Sequence, residues 1–457
     1  MLLRFAFERK VMVQEGGLRA PERESLDINN KDFWNSDSLD KEMRRQFDVC
    51  HSCRRCFNLC DSFPKLFDLI DESDSMELDT VSSNNFDKVV DACTLCDMCF
   101  MVSCPYVPPH EFAIDIPSLF IRYKAQNKSN SFIESRLSKT DFNGKLGIKF
   151  PKIFNWVTNR KNKFFRLILD KIIKIDFSVR LPKFNTFNLF SYIKKKSKEI
   201  KYKSSENNKV VIFSTCYAGY NDSEIGKSLL NVLEKNKIYY EEGYTECCKM
   251  PQLEQGAVEE VKSSAEKTAA KLITKIRDGY KVVTPIASCA LMLKSHWPLI
   301  CPDNSDVIEL SKNTMDVDEF LIDLHNKGKL NLNIITPLNK KITLHTACHS
   351  RAQNIGAKSY NLLNLITEEK NINIEKCSGH GGTWGIKKKW NKTARKVGLP
   401  AARNIFKNEE NIIASTCPLA ALHLKDINDD KKLSNYSKKI FHPLELISEA
   451  YGKEDSN

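Results

Sequence analysis

The residues with the most distinctive chemistry are the cysteines: the chain of 457 residues holds 16, and eight of them fall between positions 50 and 104. In a reducing compartment such a density suits thiolate ligation of metal better than disulfides. The early eight read Cys50-x2-Cys53-x2-Cys56-x3-Cys60, then Cys93-x2-Cys96-x2-Cys99-x4-Cys104-Pro105. Three cysteines at intervals of three can wrap one set of irons, and the fourth, beyond the tight loop, points to a second set. The spacing therefore predicts two [4Fe–4S] clusters, one on Cys50, Cys53, Cys56 and Cys104, the other on Cys93, Cys96, Cys99 and Cys60. The expected chemistry is one-electron transfer. Zinc is the alternative, although its sites favour two separated C-x2-C pairs over triplets with a distant fourth ligand.

These thiols need elements to carry them. The segment from Asp61 to Asp91 mixes acidic and apolar residues without strand-like alternation, which predicts helix. A gap of that length between Cys60 and Cys93 favours an α-helical ferredoxin over a compact β-type one. Another helix is expected near Leu39 to Phe47, after an irregular polar arm.

The later cysteines come with an internal repeat. Val210–Cys216 matches Lys341–Cys348, Cys247-Cys248 matches Cys377-Ser378, and Lys281–Cys289 matches Asn411–Cys417. In each half a short apolar strand runs into a cysteine, and a helical stretch such as Ala257 to Arg277 lies between. Open parallel α/β sheets bind ligands beyond the carboxyl ends of their strands. That edge would gather Cys216, Cys247, Cys248 and Cys289 in the first half, and Cys348, Cys377 and Cys417 in the second. His345 and His349 flank Cys348, and an imidazole there could replace a missing thiolate. His380 and His423 lie near the same thiols in sequence, Cys301 reads as structural, and Gly379–Gly385 reads as a loop packed tightly against a site rather than a phosphate cradle.

The formal charge of +12 is unevenly spread. Residues 149–203 carry 16 Lys and Arg against Asp170, Asp176 and Glu199, whereas residues 50–117 carry 4 basic and 12 acidic groups. An acidic cluster module beside one basic stripe argues against nucleic acid as a partner. The stripe interleaves Phe150, Phe154, Trp156, Phe164, Phe165, Phe184, Phe187, Phe190 and Tyr192 with lysines, a pattern that suits a membrane surface near a quinone pool, or helices packed on flanking domains. The opening MLLRFAFERK is too short in apolar residues for a secretory signal, which gives a cytoplasmic expectation, or a peripheral one at the inner face of the cytoplasmic membrane.

The segment HSCRRCFNLCDSFPKLFDLIDES, followed by CTLCDMCFMVSCPYVPPHEFAIDIPSL, resembles iron–sulfur proteins related to the C subunit of anaerobic glycerol-3-phosphate dehydrogenase. The later half resembles the paired cysteine-rich, CCG domains that this protein shares with the heterodisulfide reductase B subunit and with glycolate or lactate oxidase subunits. The similarity covers about residues 15–425. It implies an α + α/β fold: an arm over 1–48, an α-helical ferredoxin with two [4Fe–4S] motifs over 49–125, a basic connector over 126–205, and Rossmann-like CCG repeats over 206–335 and 336–457.

The family pattern is a lone cysteine, an adjacent pair and a closing C-x2-C. In the first repeat Met292 stands where the last cysteine would be, leaving Cys216, Cys247, Cys248 and Cys289 for a third, non-cubane [4Fe–4S] cluster or zinc. In the second, Ser378 and Ala420 replace two cysteines, so Cys348, Cys377 and Cys417 fall short of a full set. The resemblance implies an electron-transfer subunit between a flavoprotein dehydrogenase or rubrerythrin-like partner and a quinone or other acceptor. The rubrerythrin hint comes from the opening Glu15–Pro21. The rival is a reductase acting on a disulfide or small substrate at the first CCG site.

Overall fold

The computed structural model describes residues 21–127, 132–201 and 209–452; most of the Glu15–Pro21 opening and most of the boundary loop expected at 203–209 lie outside them. The chain divides into two compact units, residues 1–129 with 254–258, and residues 130–253 with 259–457.

The described part of the first unit is helical. Its longest helix, Ser36–Cys53, starts where the Asn35 side chain accepts from the Ser38 amide and stops at Arg54, whose φ of 50° is left-handed. Leu39, Met43, Gln46 and Phe47 recur at helical spacing and are buried. Phe47, wholly buried, meets Phe86 and Phe120 edge to face with ring centroids 5.1 and 6.0 Å apart. The Asp61–Asp91 segment contains helices Ser62–Asp71 and Phe86–Asp91, with two 3-10 turns between them.

The second unit contains two parallel sheets. The first is built from β1 (Lys209–Ile212), β2 (Tyr239–Glu242), β3 (Lys281–Thr284) and β4 (Thr314–Asp316), in the order β2-β1-β3-β4. The second, from β5 (Ile342–His345), β6 (Ile372–Ile374) and β7 (Ile412–Ser415), runs β6-β5-β7. A parallel bridge from Ala414 to Phe441 extends it on the side where β4 extends the first sheet. Val210, Val211 and Ile212 form a buried apolar run, and Ile342, Thr343, Leu344 and His345 are buried throughout, as strands covered on both faces must be.

The repeats pack reciprocally. The helix after β1, Ser223–Lys235, lies on Pro443–Ala450 at the end of the second repeat; the helix after β5, Lys358–Asn364, lies on Val317–Asn326 at the end of the first. Both end helices open with a capping box, Asp316 with Glu319 and His442 with Glu445. A third contact joins Ala287–Leu291 to Cys348–Ala352, two helices that each carry a cysteine.

The basic connector is mostly helical. The sequence periodicity predicts one helix from Arg160 to Lys174; the observed path is α-helix over Lys163–Ile168 and π-helix over Leu169–Ile173, closed by left-handed Lys174. Among the described residues no helix is long and apolar enough to cross a membrane.

Candidate metal centres

In the first unit the eight early cysteines divide between two cavities. One is lined by Cys50, Cys53, Cys56 and Cys104; the other by Cys60, Cys93, Cys96 and Cys99. Phe63 lines both. Local backbone explains the division. Cys50 and Cys53 occupy the last turn of Ser36–Cys53, and the left-handed Arg54 turns the chain so that Cys56 follows on the same side. Leu95 and Asp97, between the cysteines of the second triplet, have φ of 48° and 62°. Left-handed conformations cost a non-glycine residue about 1–2 kcal/mol each, so the surrounding structure must hold them. Part of that hold is Arg23, whose guanidinium donates to both Asp97 carboxylate oxygens at 2.9 and 3.0 Å and to Asp115 at 2.9 Å. A π-helix over Cys99–Ser103 then brings Cys104 back, its amide donating to Cys99 at 2.9 Å.

The thiols oppose one another's ionisation. Burial, then Cys104, Cys56 and Cys53, push Cys50 well above the usual thiol range; burial, then Cys96, Cys93, Cys60 and Cys56, do the same to Cys99. Cys56 is pushed up to about 12 by burial, Cys104 and Cys53. Crowded sulfurs of this kind carry negative charge only against a cationic core, so the donor set fits an iron–sulfur group. Among the described residues no three His, Cys, Asp or Glu side chains are grouped to hold one metal ion.

The first repeat brings four thiols together. Cys216 opens the short helix after β1, behind Thr215 at φ 69°, and its sulfur lies 3.8 Å from that of Cys247. Cys248 and Cys289 are 3.4 Å apart. The Cys247-Cys248 backbone is pinned on three sides: Ser264 Oγ donates to Cys247 O at 3.1 Å, Trp297 Nε1 to Cys248 O at 3.1 Å, and the Cys247 amide to Asp141 at 2.6 Å. The Cys216 thiol donates to Cys247 and the Cys248 thiol to Cys289; the neighbouring Cys216 and Cys248 thiols hold Cys247 well below the usual thiol range, while they are themselves raised. Met292 is buried in the following π-helix, and Cys301 is buried as well.

The second repeat is thinner. Cys348 opens the Cys348–Ala352 helix, Cys417 occupies the N-cap of Pro418–Lys431, and Cys377, on the loop after β6, is exposed. Burial, then Cys377 and Cys417, raise Cys348; burial raises Cys417 too, two backbone donors oppose that rise, and Cys289 of the first repeat adds to it. Both ring nitrogens of His345 are engaged, Nδ1 with Ser415 Oγ at 2.9 Å and Nε2 with Lys376 O at 3.0 Å, so this side chain ties β5 to its neighbours. His349 lies beside Cys348 in the Cys348–Ala352 helix. His380 and His423 lie with ring centroids 5.9 Å apart and are held neutral by burial, at about 3 and about 4. Gly379, at φ +74°, sits where a Cβ would meet Ala394 O at 2.0 Å, and a Cβ on Gly398 would meet Ser378 O at 2.1 Å. The loop is thus seated against the Asn391–Ile405 helix.

Each repeat lies on a recognised domain. The CCG cysteine-rich domain matches residues 210–294 and again 342–425. The chain belongs to the CCG domain family. Within it, the chain is 27% identical to the C subunit of anaerobic glycerol-3-phosphate dehydrogenase of Escherichia coli, over 69% of its own length and 76% of that protein's. It is 30% identical to lactate utilization protein A 1 of Bacillus mycoides, over 39% of this chain and 74% of the other. It is 26% identical to the D subunit of the dihydromethanophenazine:CoB–CoM heterodisulfide reductase of Methanosarcina barkeri, over 54% and 60%. This CCG protein keeps four thiols in the first domain and three in the second.

Two contributors to these sites are not apparent from cysteine spacing. Arg23 and Asp141 act from segments remote in sequence, and a lone charged residue carries no local signal for such a contact.

Proposed function

We propose that this CCG-family protein is an iron–sulfur electron-transfer subunit of an oxidoreductase. One [4Fe–4S] cluster is assigned to Cys50, Cys53, Cys56 and Cys104, and a second to Cys60, Cys93, Cys96 and Cys99, in a unit of α-helical ferredoxin type. The observation that carries this reading is the division of eight thiols into two four-cysteine cavities. Such clusters supply one-electron transfer. The chain's own residues fix the sulfurs and present an acidic exterior suited to a basic partner surface. Relatives named as subunits of a dehydrogenase and a heterodisulfide reductase support a role inside a larger complex. A flavoprotein dehydrogenase or a rubrerythrin-like protein is the proposed partner, with a quinone or other carrier on the far side.

Cys216, Cys247, Cys248 and Cys289 are assigned a third centre, a non-cubane [4Fe–4S] cluster or zinc. Cys348, Cys377 and Cys417 lack a fourth thiol, and His349 is the neighbouring imidazole that remains a candidate ligand. The connector is proposed to rest on the inner face of the cytoplasmic membrane. Phe164 is 67% exposed, Ile172 61% and Trp156 57%, beside Phe132, Phe142, Phe150 and Ile153, in a stretch rich in lysine. Exposed apolar side chains among basic ones suit the interface of an anionic bilayer.

Redox titration of anaerobically purified protein, followed by EPR, tests the assignment. Two reducible signals from the N-terminal thiols are expected; an EPR-silent protein carrying stoichiometric zinc would overturn it.

A further inference from the structure

The Thr140–Lys149 helix belongs to the connector and lies outside both CCG matches, yet it reaches the first-repeat thiols. Asp141, in its first turn, uses both carboxylate oxygens: Oδ2 accepts from the Cys247 amide at 2.6 Å, and Oδ1 accepts from the Tyr244 hydroxyl. Two donors on one half-buried carboxylate mark it as an acceptor that bridges the strand-end segment before the cysteine pair to the pair itself. Thr140 lies beside the Cys216 and Cys247 sulfurs. One turn on, Gly144 lets the helix press on the Tyr220 ring, where a Cβ would come within 2.2 Å; Tyr220 closes the same short helix that Cys216 opens. The helix therefore touches both walls of the site. The covering is one-sided: Cys247 is 1% exposed, whereas its counterpart Cys377 is exposed.

We propose that Asp141 is a positioning residue of the first-repeat centre, fixing Cys247 against Cys216 and setting the electrostatic environment of whatever group these thiols hold. The inference rests on reading the four first-repeat thiols as a ligand set. A carboxylate at this distance from a ligand's backbone places negative charge beside the centre, which disfavours an added electron. It also makes the connector, and not the CCG repeat alone, a determinant of that centre's potential.

Asp141→Asn is nearly isosteric but replaces an acceptor oxygen with a donor group. Tyr244→Phe removes one donor and leaves the Cys247 bond in place. On the anaerobic full-length protein, two readouts apply: the potential of each EPR-active centre, and the rate at which iodoacetamide labels Cys247, mapped by mass spectrometry. D141N is expected to move one centre to a more positive potential, leave the two N-terminal centres unshifted, and label Cys247 several-fold faster. Y244F keeps both the charge and the Cys247 bond, so its potential is expected to stay at or slightly below the wild-type value and its Cys247 labelling to rise only slightly. If wild-type protein shows no third redox centre, the cluster reading of the first repeat fails and the labelling rate alone decides: faster labelling in D141N upholds the positioning role. Wild-type labelling in D141N, with unshifted potentials, overturns it.

Discussion

Cys56 lines one cavity of the N-terminal unit and Cys60, the next cysteine along the sequence, lines the other. Both lie on the turn that joins Ser36–Cys53 to Ser62–Asp71, with Phe63 forming a wall common to both spaces. Each motif thus gives three sulfurs to one cavity and its fourth to the other.

Exchange of fourth ligands makes the two centres separable by single substitutions. Cys104→Ser should perturb the centre that contains Cys50, while Cys60→Ser should perturb the one that contains Cys93, although each replaced residue belongs to the opposite sequence motif. Iron content and EPR line shape of the two variants check this. Loss of the Cys93 centre in C104S would contradict it.

The N-terminal unit relies on a small aromatic core of Phe47, Phe86 and Phe120. Phe47→Ala removes a wholly buried ring and two edge-to-face contacts. Truncations of this kind cost about 3–5 kcal/mol. Denaturant unfolding monitored by far-UV circular dichroism should show a correspondingly lower midpoint, and an unchanged midpoint would show that the helix does not depend on this ring.

A buried carboxylate pair joins the two repeats. Gln353 donates to Asp316 at 3.0 Å, and Ser359 donates to Asp318, whose second oxygen has no partner. Burial, and then Asp316, push Asp318 up to about 7. Lys294 and Glu319 are the other charged groups at this junction, paired at 2.6 Å. The native state therefore keeps a proton that the unfolded chain releases near pH 4. This contribution is complete below about pH 4 and is lost as the pH rises through 7. Asp318→Asn should flatten the decline in stability between pH 5 and pH 8, leaving the variant more stable at pH 8 by on the order of a few kcal/mol. Melting curves at the two pH values decide; an equal decline in both proteins would rule the pair out as its source.

The exposed rings of the connector make a further case for measurement. Trp156→Asp with Phe164→Asp should lower partitioning onto vesicles rich in anionic lipid by about a hundredfold or more, since each buried ring contributes on the order of 1.5–3 kcal/mol. Raised salt should weaken the wild-type binding as well. Equal sedimentation of variant and wild type would remove the membrane from the account.

Much of the fold can be read from the sequence because its signals are local. Strands such as Val210–Ile212 and Ile412–Ser415 are short apolar runs ending at or near a cysteine, and the same arrangement appears twice. The spacing of the early cysteines likewise reflects local loop geometry. The reciprocal packing of Ser223–Lys235 on Pro443–Ala450 and of Lys358–Asn364 on Val317–Asn326 has no such signature, because it depends on faces that meet only after both repeats have formed. The connector shows the limit most plainly. Its lysines and aromatic rings suggest a surface, and several rings are exposed, but Gly144, Gly147, Leu189 and Phe190 seat other parts of it on neighbouring side chains. Asp141 reaches Cys247 across more than a hundred residues, a contact that neither periodicity nor motif spacing encodes.

Iron and acid-labile sulfide per chain, determined on protein purified without oxygen, test the central claim most directly. Two cubane clusters require about eight of each, and a third centre of that kind would raise the figure to about twelve. A colourless protein with no labile sulfide would contradict the account.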